Sequence, residues 1–227
     1  MGTRALEQIF TPSSVAVIGA SDKLGSLGGA VLRNLLQAGF AGPIYPVNAR
    51  GYKKVGGLKS YARISQLPAS VDLAIICTPA DSVDKIIEAL AKARIPAAVI
   101  LTGGTARIRS KSFIPSMSRL MAAQEQTRVR ILGPDCLGGV NPNHQLNASN
   151  LHLPVKAGHI AYIGQSGAIA SAITDWAKSR DIGFSHVLTL GQGQDIKLAD
   201  VIDHLAPNKL AKVLLVHLDD FKEGRFL

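Results

Sequence analysis

The chain has 227 residues, a formal charge of +9, 47% hydrophobic residues and 5% aromatic residues. It is too apolar to be disordered and long enough for one large or two small domains, and no apolar run reaches the roughly 18 residues of a membrane span. Residues 1–131 hold 17 Lys/Arg against 7 Asp/Glu, and residues 132–227 hold 8 against 9. The basic excess therefore belongs to the first half, which excludes an even basic coat or a basic tail. A phosphorylated ligand, a nucleic acid or a merely solvated face stays open.

Residues 1–10 contain Glu7 and no long apolar core, so they do not read as a secretory signal. Cys77 and Cys136 cannot build a disulfide framework, and there is no CxxC. A reducing cytoplasm is the expected compartment. Short apolar runs then alternate with helical patterns. Strands are expected at 14–18, 43–47, 72–77, 97–101 and 129–132. Helices are expected at 28–38, 81–92 and 112–124, with Pro115 in the first turn of the last. Strands that are apolar throughout and separated by helices predict a parallel sheet covered on both faces. This is a doubly wound α/β domain over 1–131.

Residues 132–157 are rich in Gly, Asn, Pro and His and lack a clear period, so they read as a connecting segment with short strands at most. The pattern restarts with strands at 159–163, 185–190 and 212–218 and helices at 167–179 and 198–205. This second domain, 158–227, is expected to be incomplete, because the last strand is not followed by a covering helix. The chain is accordingly expected to be a truncated product or a fragment.

Four segments carry chemistry. The first strand runs into Gly19-Ala20-Ser21-Asp22-Lys23-Leu24-Gly25-Ser26 and then a helix. Glycines let backbone approach a phosphate, helix N-terminal amides bind it, and Ser21 and Ser26 add hydroxyls. The spacing is not GxGxxG, and plain turn glycines with helix caps are the competing reading. The second strand runs into Asn48, Arg50, Lys53 and Lys54 with no acid. An NAD site wants a carboxylate there, whereas three cations suit a phosphorylated ribose, as in NADP or coenzyme A. The turn from Cys77 to Val83, with Pro79, lies at the carboxyl edge, and Cys77 reads as a buried residue rather than a nucleophile. Gly164-Gln165-Ser166-Gly167 opens a helix in the second half and makes a second anion seat. It misses the GxSxG pattern at Ala168, which argues against a serine hydrolase. The six histidines show no i, i+4 pair and no HExxH, so no metal site is expected.

The order of segments resembles the NDP-forming acyl-CoA synthetase superfamily. The residues that carry the likeness are SVAVIGASDKLGS at 14–26, PVN at 46–48, CTPADSV at 77–83, ILGPDCLG at 131–138, AYIGQSGA at 161–168 and GQGQDI at 191–196. That superfamily includes the succinyl-CoA synthetase α subunit, the ADP-forming acetyl-CoA synthetases and the N-terminal part of bacterial protein lysine acetyltransferases. The resemblance covers nearly all the chain. It implies a Rossmann-like CoA-binding domain followed by a flavodoxin-like, succinyl-CoA synthetase-like α/β domain.

By resemblance, Gly19, Ser21, Gly25 and Ser26 hold a phosphate of CoA, Asn48 lies near the nucleotide end, and Pro79 and Val83 line the pantetheine. Gln165, Ser166 and Gly167 make the phosphate seat of the second domain. Asp219 matches a carboxylate that orients a phosphorylated histidine, where the family usually has Glu. Asp135 also departs from the family's Asn. The phosphohistidine segment and the ATP-grasp region fall outside the sequence, so ATP or ADP belongs only to the full-length enzyme. The expected partners are CoA or acyl-CoA and an ATP-grasp domain or subunit, with no nucleic acid and no membrane. A homo-oligomer is compatible with the sequence. Three alternatives stay open: a lysine acetyltransferase, a CoA or acyl-CoA sensor without turnover, and an NADP-linked oxidoreductase fragment.

Overall fold

In the computed structural model, which describes residues 3–68, 70–102 and 113–219, the chain forms two five-stranded sheets. The first comprises β1 (Val15–Ile18), β2 (Ile44–Val47), β5 (Leu73–Ile76), β6 (Ala97–Ile100) and β7 (Arg130–Leu132). Their order is β2-β1-β5-β6-β7, and every pairing is parallel. The polarity of the order switches at β1. Strands β1, β5 and β6 are wholly buried, which explains their unbroken apolar runs.

Helix α2 (Leu27–Gln37) covers one face through Val31, Leu32 and Leu35. Helices α3 (Val83–Lys92) and α4 (Phe113–Thr127) cover the other, through Ile87, Leu90, Leu120 and Ala123. Between β2 and β5 a short hairpin, β3 (Lys54–Val55) and β4 (Leu58–Lys59), packs its turn against Leu32. The sequence pattern gives no sign of it, because each strand has two residues. Arg107, Arg109 and Lys111, which contribute to the basic excess, lie outside the described residues.

The second sheet has the order β12-β10-β11-β8-β9. Its members are β8 (Gly138–Asn141), β9 (Leu146–Ser149), β10 (Ala157–Gly164), β11 (Phe184–Thr189) and β12 (Val213–His217). Strands β10, β11 and β12 pair in parallel, and β8 joins β11 antiparallel. The segment expected as a connection thus supplies the β8–β9 hairpin. Both strands are fully buried despite their Gly, Asn and Ser content. Helix α5 (Gly167–Lys178) packs on Tyr162 and Val187, and α6 (Leu198–Leu205) packs on the opposite face. At the edge, Val213, Leu214, Leu215 and Val216 are all exposed. No described helix is long and apolar enough to cross a membrane.

The sheets share one core. Helix α1 (Thr3–Phe10) adds Leu6, Ile9 and Phe10 to a cluster that holds Val15 and Val17 of the first half together with Leu188 and Val201 of the second, and it lies against β6, β8 and α6. Asn34 of α2 donates to the carbonyls of Ser149 and Leu151, at 2.8 and 2.7 Å. Arg130 and the Ile131 amide both bond Asp195, at 2.9 and 2.7 Å. Asp195 belongs to the GQGQDI segment, so that segment clamps the two halves.

Phe10 also stacks on His204, 4.9 Å between centroids, and meets the edge of His186 at 5.2 Å. His186 is 1% exposed, and its Nδ1 has no partner. Burial, reinforced by His204 and opposed by Glu7, lowers its pKa to about 4. The unfolded chain therefore binds a proton that the fold excludes once the pH drops below the ordinary value near 6.5. Stability is full above that value and declines by up to about 3 kcal/mol as the pH falls to 4. Denaturant unfolding at pH 7 and pH 4.5 should show this loss, and His186→Leu should shrink it. An equal loss in both proteins contradicts the assignment.

Candidate functional site

All five parallel strands of the first sheet deliver their following turns to one edge. At the polarity switch, the turn after β1 goes to one face and the turn after β5 to the other, which opens a crevice between them. Gly19 leaves β1 with φ +90°, and a Cβ there would press within 3.1 Å of the Thr78 methyl. The two turns touch at that point. Helix α2 starts equally close, because a Cβ on Gly28 would collide with the Gly19 carbonyl. A Cβ on Gly29 would lie 2.6 Å from the Ser21 carbonyl. Two glycines thus let the first turn of α2 settle onto the loop, and the amides of that turn have no carbonyl partner within the helix.

The loop residues divide by what their side chains are already doing. Ser26 accepts from the Gly29 amide at 3.2 Å and donates to the Lys23 carbonyl at 2.7 Å. It is the N-cap of α2. The expected second hydroxyl donor is therefore committed to the helix. Ser21 accepts from the Lys23 amide at 3.1 Å, which leaves its own proton for a ligand. Gly25 has φ +74° with open space beside it, so a bent backbone rather than crowding requires glycine there.

Asn48 donates to the Ala20 carbonyl at 2.6 Å and accepts from the Arg50 amide at 2.9 Å. It ties the β2 exit to the glycine loop. Asp22, an acid in a loop read as anion-binding, accepts the Gly56 amide at 2.7 Å. That bond tethers the β3–β4 hairpin, and with it Lys53 and Lys54, to the loop. Sequence reasoning passed over Asp22, although an acid in such a loop is itself a signal that another group needs it. A hydrogen bond to Tyr52 raises the pKa of the exposed Arg50 guanidinium. Arg50, Lys53 and Lys54 all stay exposed.

On the other side, Pro79 starts a short 3₁₀ turn, Ala80–Ser82, and Ser82 donates to the Pro79 carbonyl at 2.7 Å. Val83 is 4% exposed and packs with Ile87. It supports the turn from within the core instead of forming an open wall. Burial, then the neighbouring Cys136, pushes the Cys77 thiol up to about 12, so it is not a thiolate at neutral pH.

The second seat lies elsewhere, at the carboxyl edge of the other sheet. Ser166 caps α5 by accepting from the Ile169 amide at 3.4 Å. Gln165 accepts the Asp219 amide at 2.6 Å, so the structure brings Asp219 to Gln165, next to the Ser166 cap. Among the described residues no group of three potential ligands could hold a metal.

Comparison with known proteins supplies the family. Residues 13–142 match the CoA binding domain family, and residues 157–227 match the succinyl-CoA ligase like flavodoxin domain. The chain is 33% identical to acetate–CoA ligase (ADP-forming) I of Archaeoglobus fulgidus, over 97% of this chain and 32% of that protein. It is 33% identical to the α subunit of acetate–CoA ligase (ADP-forming) I of Pyrococcus furiosus, over 97% of this chain and 48% of that one. Among solved structures, acetyl-coenzyme A synthetase 1 of Candidatus Korarchaeum cryptofilum, in complex with phosphate and ADP, superposes with a TM-score of 0.89 at 32% identity. That match covers 97% of this chain and 47% of the other. The chain thus spans about a third to about a half of the length of these relatives.

The close approach of α2 has a sign that can be measured. Alanine raises helix propensity over glycine by about 1 kcal/mol. Gly28→Ala should nonetheless lower the thermal midpoint, because its methyl meets the Gly19 backbone. A raised midpoint contradicts the packing described.

Proposed function

Because the chain belongs to the CoA-binding domain family, we propose that it binds coenzyme A in the crevice between β1 and β5, as the CoA-binding portion of an ADP-forming acyl-CoA synthetase. The observation that carries this reading is the docking of the first turn of α2 on the β1 exit. It sets the N-terminal turn of α2 against the loop that holds Ser21 and the Gly25 bend, a setting that suits a phosphate of CoA. The residues fit the ligand further along. CoA carries a phosphate on its ribose, and Arg50, Lys53 and Lys54 stand on the segment tethered beside the loop. The turn at Pro79, backed by buried Val83, offers a surface for the pantetheine.

The reaction of the whole enzyme is acyl-CoA formation coupled to cleavage of a nucleoside triphosphate. In it, Gln165, Ser166 and Gly167 hold a phosphoryl group against the dipole of α5, and Asp219 supplies the neighbouring carboxylate. ATP and ADP belong to an ATP-grasp domain or subunit that joins this portion in the cytoplasm. The relatives are ligases, which favours the synthetase over a sensor, a lysine acetyltransferase or an NADP-linked oxidoreductase.

Calorimetric titration tests the ligand. CoA should bind saturably, and Gly25→Val should abolish binding while the protein stays folded. Replacing Arg50, Lys53 and Lys54 together by Ala should weaken CoA by about tenfold, as expected for three exposed contacts. The same replacement should leave dephospho-CoA, which lacks the ribose phosphate, nearly unchanged. Saturable NADPH binding with no heat from CoA overturns the proposal.

A further inference from the structure

The β3–β4 hairpin brings two like charges together. Lys54 and Lys59 lie directly opposite each other in the two-stranded ladder, and Val55 and Leu58 are the pair beside them. Successive side chains of a strand leave on opposite faces. Val55 is 0% exposed, and Leu58 packs on the same core. Lys54 and Lys59 therefore share the outer face, where both are exposed. Opposed residues of an antiparallel pair hold their Cβ atoms about 5 Å apart, and like charges there repel. Among the described residues, no acid forms an ion pair with either lysine. Two adjacent cations that the fold leaves uncompensated suit a group with two negative charges.

The place of this pair is fixed from three sides. Val55 anchors β3 in the core that α2 covers. Past β4, the Tyr61 amide donates to the Pro46 carbonyl and its carbonyl accepts from the Asn48 amide, both at 2.9 Å. These bonds tie the end of the hairpin to the exit of β2. The Tyr61 ring centroid lies 5.2 Å from the Lys59 ammonium and steadies it by a cation–π contact. The turn itself, Gly56 at φ +60° and Gly57 at φ +76°, is held by Asp22, which accepts the Gly56 amide at 2.7 Å. The charge of Asp22 works against an anion at the glycine loop. Its bond works for the anion, because it keeps the two lysines beside that loop.

We propose that Lys54 and Lys59 form a clamp for a phosphomonoester dianion, the ribose phosphate of CoA, and that Asp22 is a positioning residue that holds the clamp beside the glycine loop. The inference rests on the CoA reading above and names the residues that separate CoA from dephospho-CoA. It gives roles to Lys59 and Asp22, which the sequence pattern does not mark. A phosphomonoester carries about 1.5 to 2 negative charges at neutral pH, enough to engage both ammonium groups.

The test is calorimetric titration with CoA and with dephospho-CoA at pH 7, and the quantity read is the ratio of the two affinities. Lys59→Ala should weaken CoA by about threefold and leave dephospho-CoA unchanged. Added salt should shrink the ratio in the unmodified protein. Asp22→Ala removes the tether and should lower the ratio by about as much, although its lost charge alone predicts tighter CoA. Asp22→Asn keeps an oxygen that can accept from Gly56, so it should hold the ratio or raise it. Retained dephospho-CoA binding shows that each variant is folded. A ratio that survives Lys59→Ala, or that Asp22→Ala leaves unchanged or raises, overturns the clamp while CoA binding stands. If neither ligand binds the unmodified protein, the CoA reading falls and the clamp falls with it.

Discussion

Where the first turn of α2 meets the exit of β1 there is no room for a methyl group. Gly28 lies against the carbonyl of Gly19, and Gly29 lies against that of Ser21. This close approach orders the rest of the crevice. It sets the helix amides at the polarity switch of the sheet, and it brings Ser26 to its capping position. It leaves the Ala20 carbonyl for Asn48 and the Asp22 carboxylate for the β3–β4 hairpin. The cations of that hairpin reach the loop through these two bonds, without any ion pair of their own in the link. Electrostatics here follows from packing.

The same helix also joins the two halves. Its apolar face enters the core shared with α1 and the second sheet, while Asn34 bonds the carbonyls beyond β9. Arg130 and Asp195 close the other side in a partly buried pair. Changes in one half can therefore be felt in the other through α2. The second sheet presents its own helix N-terminus at its own carboxyl edge, with Asp219 beside it. The basic first half and the near-neutral second half match this division. The first helix terminus has exposed cations near it, and the second has one acid near it.

The parallel strands were legible because burial on both faces leaves an unbroken apolar signature. The reading placed strands at 72–77 and 97–101, and the structure has Leu73–Ile76 and Ala97–Ile100. Helices with a clean apolar stripe were equally legible, as with Leu198–Leu205. Strands β8 and β9 were hidden, since Gly138, Gly139, Asn147 and Ser149 have low strand propensity and are held by burial and by pairing with their neighbours in the sheet. Helix α1 was also missed, although Leu6, Ile9 and Phe10 have helical spacing, because it is only eight residues long. At the site, backbone demands showed in the glycines, but side-chain commitments did not. Ser26 as a cap, Asn48 as a tie and Val83 as core each depend on partners that three-dimensional packing supplies. Asp135 sits at φ +61°, a conformation that Asn and Asp both tolerate, so its departure from the family's Asn leaves the backbone there intact.

The central claim is that CoA lies on the turn between β1 and α2. Amide hydrogen exchange with and without saturating CoA tests it most directly. The account predicts slowed exchange in residues 20–29 and 48–59, where the loop and its tethered hairpin lie. Saturable binding of CoA with unchanged exchange in both segments would contradict it.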